Sequence, residues 1–540
     1  MTEPWILMRG AASGARMAAI TLLAATAMGL AGPAPLDAAE LRIGNAGEPD
    51  TLDPHHASGT WENRIIGDVF LGLTTEAADG SVIPGAAESW TVSDDGLVYT
   101  FTLRDHTWSD GTPVTASDFV FAMRRLLAPE TAAKYASILY TIKNAKALNE
   151  ASMDNMEDLG VKAIDDRTLE VTLEFPAPYF IEQLTHYTAF PVPKHKLDEL
   201  GEDWVKPGNL VSNGAYVVTE WVPNTHVRAE KNEAFYDAAN VSIDAVIYYP
   251  TEERNAATKQ FRAGELDMQY DFASEQIDWL KENMPDETRI SPYLGIYYYP
   301  INTSKPPFDN VDVRRALAMA IDREAITDKV LKTGEIAAYS FVPPNAGDYG
   351  EPAYVDWKDM SYDDRVGKAI ELLAGAGFGP EKPLELQLRY NTSENHKKVA
   401  IAVAAMWKKI GVQAELFNAE VKVHYNDLQQ GNFEVARAGW IADYNDAQNF
   451  LYLMESDAGP LNYGQFSSAA YDELMNQADI ETDPAKRNDL MRQAEAIAMA
   501  EMPNIPIHYY ISKDLVSSKI QGYVDNTKNI HRTRFLSLAE

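Results

Sequence analysis

Residues 97–103 alternate one by one: Tyr99, Phe101 and Leu103 share one face, and Val98, Thr100 and Thr102 the other. Period two predicts a half-buried strand. A second period-two run starts at Thr168 and is stopped by Pro176 and Pro178, because proline cannot donate to a ladder. Elsewhere the spacing is helical. In "TDPAKRNDLMRQAEAIAMAE", Asp483 predicts an N-cap and Pro484 the first helical position, with Leu490, Ala494, Ile497 and Ala498 on one face. Asp110-Gly111 reads as a turn, and Ser117-Asp118 as the helix start ahead of "FVFAMRRLL". "LRIGNAGEPDTLDP" opens as a short strand and ends in turn chemistry at Pro49 and Pro54. Strand and helix patterns interleave to the end, without a repeat, a low-complexity block or a long linker. The pattern predicts α/β lobes joined by short crossovers inside the folded body.

One stretch fits neither period. "VARAGWIADYNDAQNF", residues 435–450, begins as an extended alternation and is broken by Gly439. Trp440 and Ile441 are too apolar for a surface turn. A single carboxylate, Asp443, follows them.

The first residues change the picture of where the chain works. Arg9 and Arg16 flank an apolar run at 17–30, which is too short for a comfortable membrane span; small residues and prolines follow. This predicts a signal peptide over residues 1–39 and an exported protein. The alternative is a retained membrane anchor. A net charge of -33, from 80 acidic and 47 basic side chains in 540 residues, argues against nucleic acid and anionic membranes. It gives a solvated acidic surface, or alternatively an attraction for cationic ligands. With no cysteine, thiol catalysis, disulfides, cysteine-ligated zinc and iron–sulfur clusters are excluded.

The sequence contains no His-Glu-x-x-His, no Gly-x-Ser-x-Gly, no phosphate loop and no dinucleotide fingerprint. Only His55 and His56 are adjacent among ten histidines, and they read as a loop rather than a metal pair. We therefore expect no catalytic residue, no metal and no cofactor.

Four long stretches resemble the periplasmic peptide-binding proteins of ABC importers, most closely the oligopeptide-binding ones. They are "WSDGTPVTASDFVFAMRRL" (108–126), "YLGIYYYPINTSKPPFDNVDVRRALAMAIDRE" (293–324), "YNTSENHKKVAIAVAAMWKKIGV" (390–412) and "VARAGWIADYN" (435–445). The resemblance implies an α/β, two-lobed periplasmic binding protein fold with an extra inserted domain and a hinged ligand cleft. Lobe I would comprise residues 40–70, 194–295 and 512–540, the inserted domain 71–193, and lobe II 296–511. It also implies short peptides as ligands, a membrane permease with separate ATPase subunits as partners, no nucleic acid, a monomer, and the periplasm of a Gram-negative bacterium. Alternatives within the fold are cell-wall peptides, dipeptides or a nickel complex. Alternatives of another class are a secreted peptidase and a periplasmic chaperone or signalling receptor.

A peptide of arbitrary sequence has three constant features: an ammonium, a main chain and a carboxylate. A carboxylate in a dry cleft suits the ammonium, and residues just before Asp443 can offer a strand edge to which the peptide adds. The resemblance agrees. It implies Asp443 and Tyr135 at the peptide N-terminus, and main-chain contacts from Gly439, Trp440 and Ile441. It places Arg437 and His396 at the C-terminus. We expect these two to act as cations at different distances from Asp443 along the cleft, and Tyr270, Tyr299, Asn391 and Tyr510 to stand around the pocket. The bland alternatives are a loop or capping carboxylate at Asp443, an interface tyrosine at Tyr135, an ion-pair arginine at Arg437 and a helix-start histidine at His396. The family pattern is broken at Leu331, Ser58, Leu428 and Val421.

Overall fold

The computed structural model describes residues 38–344 and 346–539, so nearly all of the expected signal peptide lies outside the described residues. Among the described residues no helix is long and apolar enough to cross a membrane.

The central sheet is built from strands far apart in sequence: β1 (Glu40–Gly44), β2 (Tyr216–Val222), β3 (His226–Lys231), β4 (Ala245–Tyr249), β5 (Met268–Tyr270), β6 (Thr288–Pro300), β7 (Ala438–Ile441) and β8 (Asn504–Val516). Their order is β7-β6-β8-β5-β1-β4-β3-β2, with Ile336–Ala337 added against β8. β1 lies parallel to β4 and β5; the remaining neighbours are antiparallel.

Two large apolar clusters sit on this frame. One is assembled from residues between Leu41 and Tyr270, with Tyr444 from just beyond β7 and Val516 and Leu536 from the tail. The other is drawn entirely from residues between Leu294 and Tyr509. β6 and β8 are both 13 residues long; β8 runs from Ile505 in the second cluster to Val516 in the first, and β6 pairs along it. Their pairing is irregular at that junction: Pro292 faces Ile511, but the next pair is Ile296 with Tyr509. An extra stretch of backbone in one strand is a bulge, which bends and twists the ladder. The body is thus a two-lobed α/β fold whose lobes share a sheet.

Residues 71–193 carry an antiparallel sheet of their own, Ala87–Val92, Val98–Leu103, Thr168–Thr172 and Val161–Asp165 in that order across the sheet. Tyr99, Phe101 and Leu103 are buried and their neighbours are not, as period two requires. Burying side chains of this size contributes about 1.5–3 kcal/mol each. The segment is not walled off: Phe70 meets Trp108 and Trp204 edge-on at ring distances of 6.5 and 6.1 Å, within one continuous core.

Two local readings are corrected. The helix Ala116–Leu127 starts after Thr115, not at Ser117-Asp118; the Asp118 carboxylate reaches back to accept from the Thr115 N–H at 2.8 Å. This is the reciprocal half of a capping box, in which an acid three residues into the helix serves the cap. In Pro484–Glu501, Asp483 does cap, accepting from the Ala485 N–H at 3.0 Å. Its buried stripe, however, is Arg487, Met491, Ala494, Glu495 and Ala498, while Leu490 and Ile497 are only partly buried. Glu495 earns its place through the N–H groups of Phe341, Val342 and Ala353 and the Tyr349 hydroxyl, at 2.7–3.0 Å. An apolar count cannot see a satisfied buried acid.

Candidate functional site

β7 is the last strand of the central sheet, paired with β6 along one side only. Gly439, Trp440 and Ile441 face Tyr297, Ile296 and Gly295. Its other edge carries no strand among the described residues, so N–H and C=O groups there are open to an extended ligand. Arg437 precedes this strand and Asp443 follows it.

Gly439 is needed on the protein's own account. A Cβ there would collide with the Tyr510 hydroxyl and crowd the Arg437 guanidinium. Trp440 is fixed by its indole N–H, which donates to Asn449 Oδ1 at 2.9 Å, and by an edge-on contact with Tyr452. The same oxygen accepts from the Asp443 N–H at 3.1 Å, so one buried asparagine sets both the tryptophan and the backbone of the carboxylate.

Asp443 keeps 16% of its side chain exposed, into a cavity of about 600 Å³ that Tyr135 also lines. Its nearest basic atom is His186 Nε2 at 3.6 Å, beyond hydrogen-bond reach. Burial pushes His186 down to about 3, so that imidazole is neutral and supplies no counter-charge. Burial pushes Asp443 up to about 7, and only the more distant Lys528 opposes it. The Tyr135 ring stands 5.5 Å from His186, and its proton is held more tightly by burial and by the field of Asp443. The result is a positioned carboxylate that burial makes harder to ionise and that a cation in contact would favour in its charged form.

Arg437 is equipped in the opposite way. Its guanidinium donates to Asn391 Oδ1 at 3.1 Å, Tyr425 Oη at 3.0 Å and Tyr510 Oη at 2.5 Å, and lies 4.8 Å over the Tyr297 ring. No carboxylate among the described residues pairs with it. His396 and His508 flank the same Tyr297 ring, at 5.5 and 4.7 Å. Burial, reinforced by Arg437, holds His396 well below its ordinary range, and burial brings His508 to about 4.

Three sequence readings change here. His396 is a neutral imidazole, not a second cation. It packs at 5.5 Å on the same Tyr297 ring that the Arg437 guanidinium covers at 4.8 Å. Tyr299 is fully buried between Tyr297 and Trp407, because side chains two apart on β6 share a face and Tyr297 stands in front. Asn391 and Tyr510 touch Arg437. Tyr270 does not belong to that group: Arg64 covers its ring at 3.5 Å in the other apolar cluster. Sequence reasoning missed His186, Asn449 and Tyr425. His186 and Tyr425 carry no local pattern, whereas the second half of "VARAGWIADYNDAQNF" already contained Asn449.

The positions that break the family pattern are unremarkable in packing. Leu331 and Leu428 are core residues, Val421 is exposed, and Ser58 accepts from Lys134 at 3.2 Å. Asp53, His56 and Glu202 bring ligand-type atoms within 4.8 Å of one another. Asp53 is already committed to Arg125 through two bonds of 3.0 and 2.6 Å, and the His56 ring to Asp53 and the Thr131 carbonyl.

Residues 81–462 match the model of bacterial extracellular solute-binding proteins, family 5. The chain is 42% identical to the periplasmic oligopeptide-binding protein OppA of Escherichia coli over 493 residues, 89% of this chain and 90% of that one. Among solved structures it resembles the E. coli murein tripeptide binding protein MppA with a TM-score of 0.87 and 38% identity, over 94% of this chain and 99% of that one. It also resembles Haemophilus influenzae OppA in complex with RPPGFSPFR, with a TM-score of 0.86 and 35% identity, over 93% and 99%.

Proposed function

From the premise that the chain belongs to the bacterial extracellular solute-binding proteins of family 5, we propose that it captures short peptides of varied sequence and hands them to an ABC import permease. The observation that carries this reading is Asp443: a carboxylate raised to about 7 by burial, beside an open strand edge, with no cation in contact among the described residues. The peptide ammonium meets Asp443, its main chain extends β7, and its carboxylate approaches the Tyr297–Arg437 patch. Arg437 and Asp443 are six residues apart, so at ~3.3 Å per residue their backbones lie at most ~20 Å apart. Water can bridge what a shorter peptide leaves open.

Closure would use β6 and β8 as the crossovers, with the lobes divided as 40–70, 194–295 and 512–540 against 296–511, and 71–193 as the insertion. Contacts between these parts support a closed arrangement: Lys146 meets Asp457 at 2.8 Å, Asn395 donates to Ser274 at 3.1 Å, and Tyr179 stacks on Tyr444 at 5.0 Å. Export by the expected signal peptide, a periplasmic monomer and ATPase subunits behind the permease complete the proposal. Murein peptides are a second reading, favoured by the likeness to MppA. Mass spectrometry of ligands released from protein purified from its native host tests both. Peptides with free amino termini support the anchor, recurrent diaminopimelate identifies murein fragments, and ligands without an amine overturn the proposal.

A further inference from the structure

We propose that the cavity opening beside Asp443 is a subsite for an alkylammonium or guanidinium cation, filled by a lysine or arginine side chain at the first residue of the peptide. The inference rests on the reading of Asp443 as the ammonium anchor. A group held at Asp443 stands on the wall of this cavity, so the side chain nearest to the cavity is that of residue one.

The cavity lies between residues 135–183 and residues 443–480 and encloses about 600 Å³. Its walls carry six carboxylates and one cation, Lys146, which Asp457 occupies at 2.8 Å. Besides Asp443, two of these acids carry an unbonded oxygen. Glu455 Oε1 and Asp479 Oδ1 are both buried and make no hydrogen bond. The hydroxyl of Tyr179, a residue 5% exposed on the same wall, is likewise buried without a partner. These three oxygens match the three N–H donors of an ammonium, and a guanidinium offers five.

Buried polar atoms are almost always satisfied, so three in one cavity need an explanation. The nearby cations do not provide it. Arg487 is spent on Asp446 through two bonds of 2.9 and 3.0 Å, with its guanidinium 5.1 Å from the Tyr179 ring. Burial, with repulsion from Asp479, Asp457 and Asp472, holds the Glu455 proton well above the usual carboxylate range. Asp479 is pushed up to about 7 by burial, against the pull of Arg487. A bound cation would let both acids ionise and would satisfy the orphan oxygens. An apolar or acidic side chain would do neither.

The test is titration calorimetry on the mature protein freed of ligand, with Lys-Ala-Ala, Arg-Ala-Ala, norleucyl-Ala-Ala and Glu-Ala-Ala, and with 1,5-diaminopentane alone. Norleucine keeps the length of lysine without its charge. We expect the basic tripeptides to bind at least tenfold more tightly than the norleucine one, and the glutamate one to bind most weakly. The lysine-to-norleucine ratio should collapse towards one in Glu455→Gln and, separately, in Asp479→Asn. Should either variant misfold, the ratio in the unaltered protein still decides. A ratio near one with diaminopentane bound in the cavity, and lost in Glu455→Gln, supports the cation site with a free diamine as its source. A ratio near one without diamine binding overturns the inference, as does a tenfold ratio that survives both substitutions. Failure of the anchor itself looks different: N-acetylated Ala-Ala-Ala would then bind as well as the free peptide.

Discussion

The two flanks of β7 hold opposite charges and treat them in opposite ways. Arg437 is buried but provided for: two tyrosine hydroxyls, an amide oxygen and a π face stand in for water. Asp443 is enclosed and left wanting, with a neutral imidazole at 3.6 Å and Lys528 at a distance. Neutral dipoles can solvate a charge without fixing what it binds. An unanswered charge pays its desolvation in full until a partner arrives. The difference teaches that the ligand's amino end should be the required one and its carboxyl end the adaptable one.

The largest effect should therefore come from breaking the Asp443 side. Asp443→Ala should cost roughly 3–5 kcal/mol of peptide affinity, about two to nearly four decades. N-acetylation of the peptide should cost a similar amount against the unaltered protein, and equal affinities for free and acetylated peptide would contradict the assignment. In the ligand-free protein the sign reverses. Between about pH 4 and 7 the folded state keeps a proton that the unfolded chain has released, so this group makes stability fall as pH rises, by up to ~4 kcal/mol. Asp443→Asn should remove that component and stabilise the empty protein at pH 8 relative to pH 5. Parallel urea denaturation curves for parent and variant at both pH values would sink the argument.

Arg437 should matter less for affinity. Arg437→Met loses one charge-assisted hydrogen bond to the ligand carboxylate, about 1.5–3 kcal/mol. It also strands the Tyr425 and Tyr510 hydroxyls, so part of the loss should appear as lower thermal stability. Peptide amides discriminate between the two: the variant should bind acid and amide alike, whereas the parent should prefer the acid. A preference for the acid that persists in Arg437→Met would place the carboxylate elsewhere.

How much of this was legible in the sequence follows the range of the forces involved. Period two located Val98–Leu103 because alternation is a local property, and Asp483 announced its helix through groups two residues away. The isolation of Asp443 was readable as a carboxylate among apolar neighbours, and the break at Gly439 as a close approach. What comes close is Tyr510, 71 residues on, which no local pattern names. Glu495 and Arg487 looked like the wet side of their helix and are buried, since their partners lie at 341–353 and at Asp446. The residues before Asp443 suggest a strand edge, but that the edge is open depends on β6, far away in sequence, pairing with only one side of β7. Charge state was the least legible feature: His396 carries the same letter whether neutral or charged, and its burial beside Arg437 decides.

That charge state sets the smallest expected effect. A cationic His396 would read peptide length from its own place along the cleft. A neutral imidazole packed on Tyr297 beside Arg437 can only donate or accept one hydrogen bond at the same patch. Its Nδ1 is buried without a partner, which leaves that nitrogen for a ligand atom or a water. A neutral hydrogen bond contributes about 0.5–1.5 kcal/mol. His396→Ala should therefore weaken binding by about that amount, equally at pH 6 and pH 8 once the Asp443 contribution is subtracted with the Asp443→Asn background. His396→Gln, which keeps a donor and an acceptor, should recover most of it. Titrating alanine peptides of two to five residues against His396→Ala and Arg437→Met completes the comparison. Both variants should weaken the same lengths, because both act at the Tyr297 patch. Losses that fall on different lengths would separate the two side chains along the cleft.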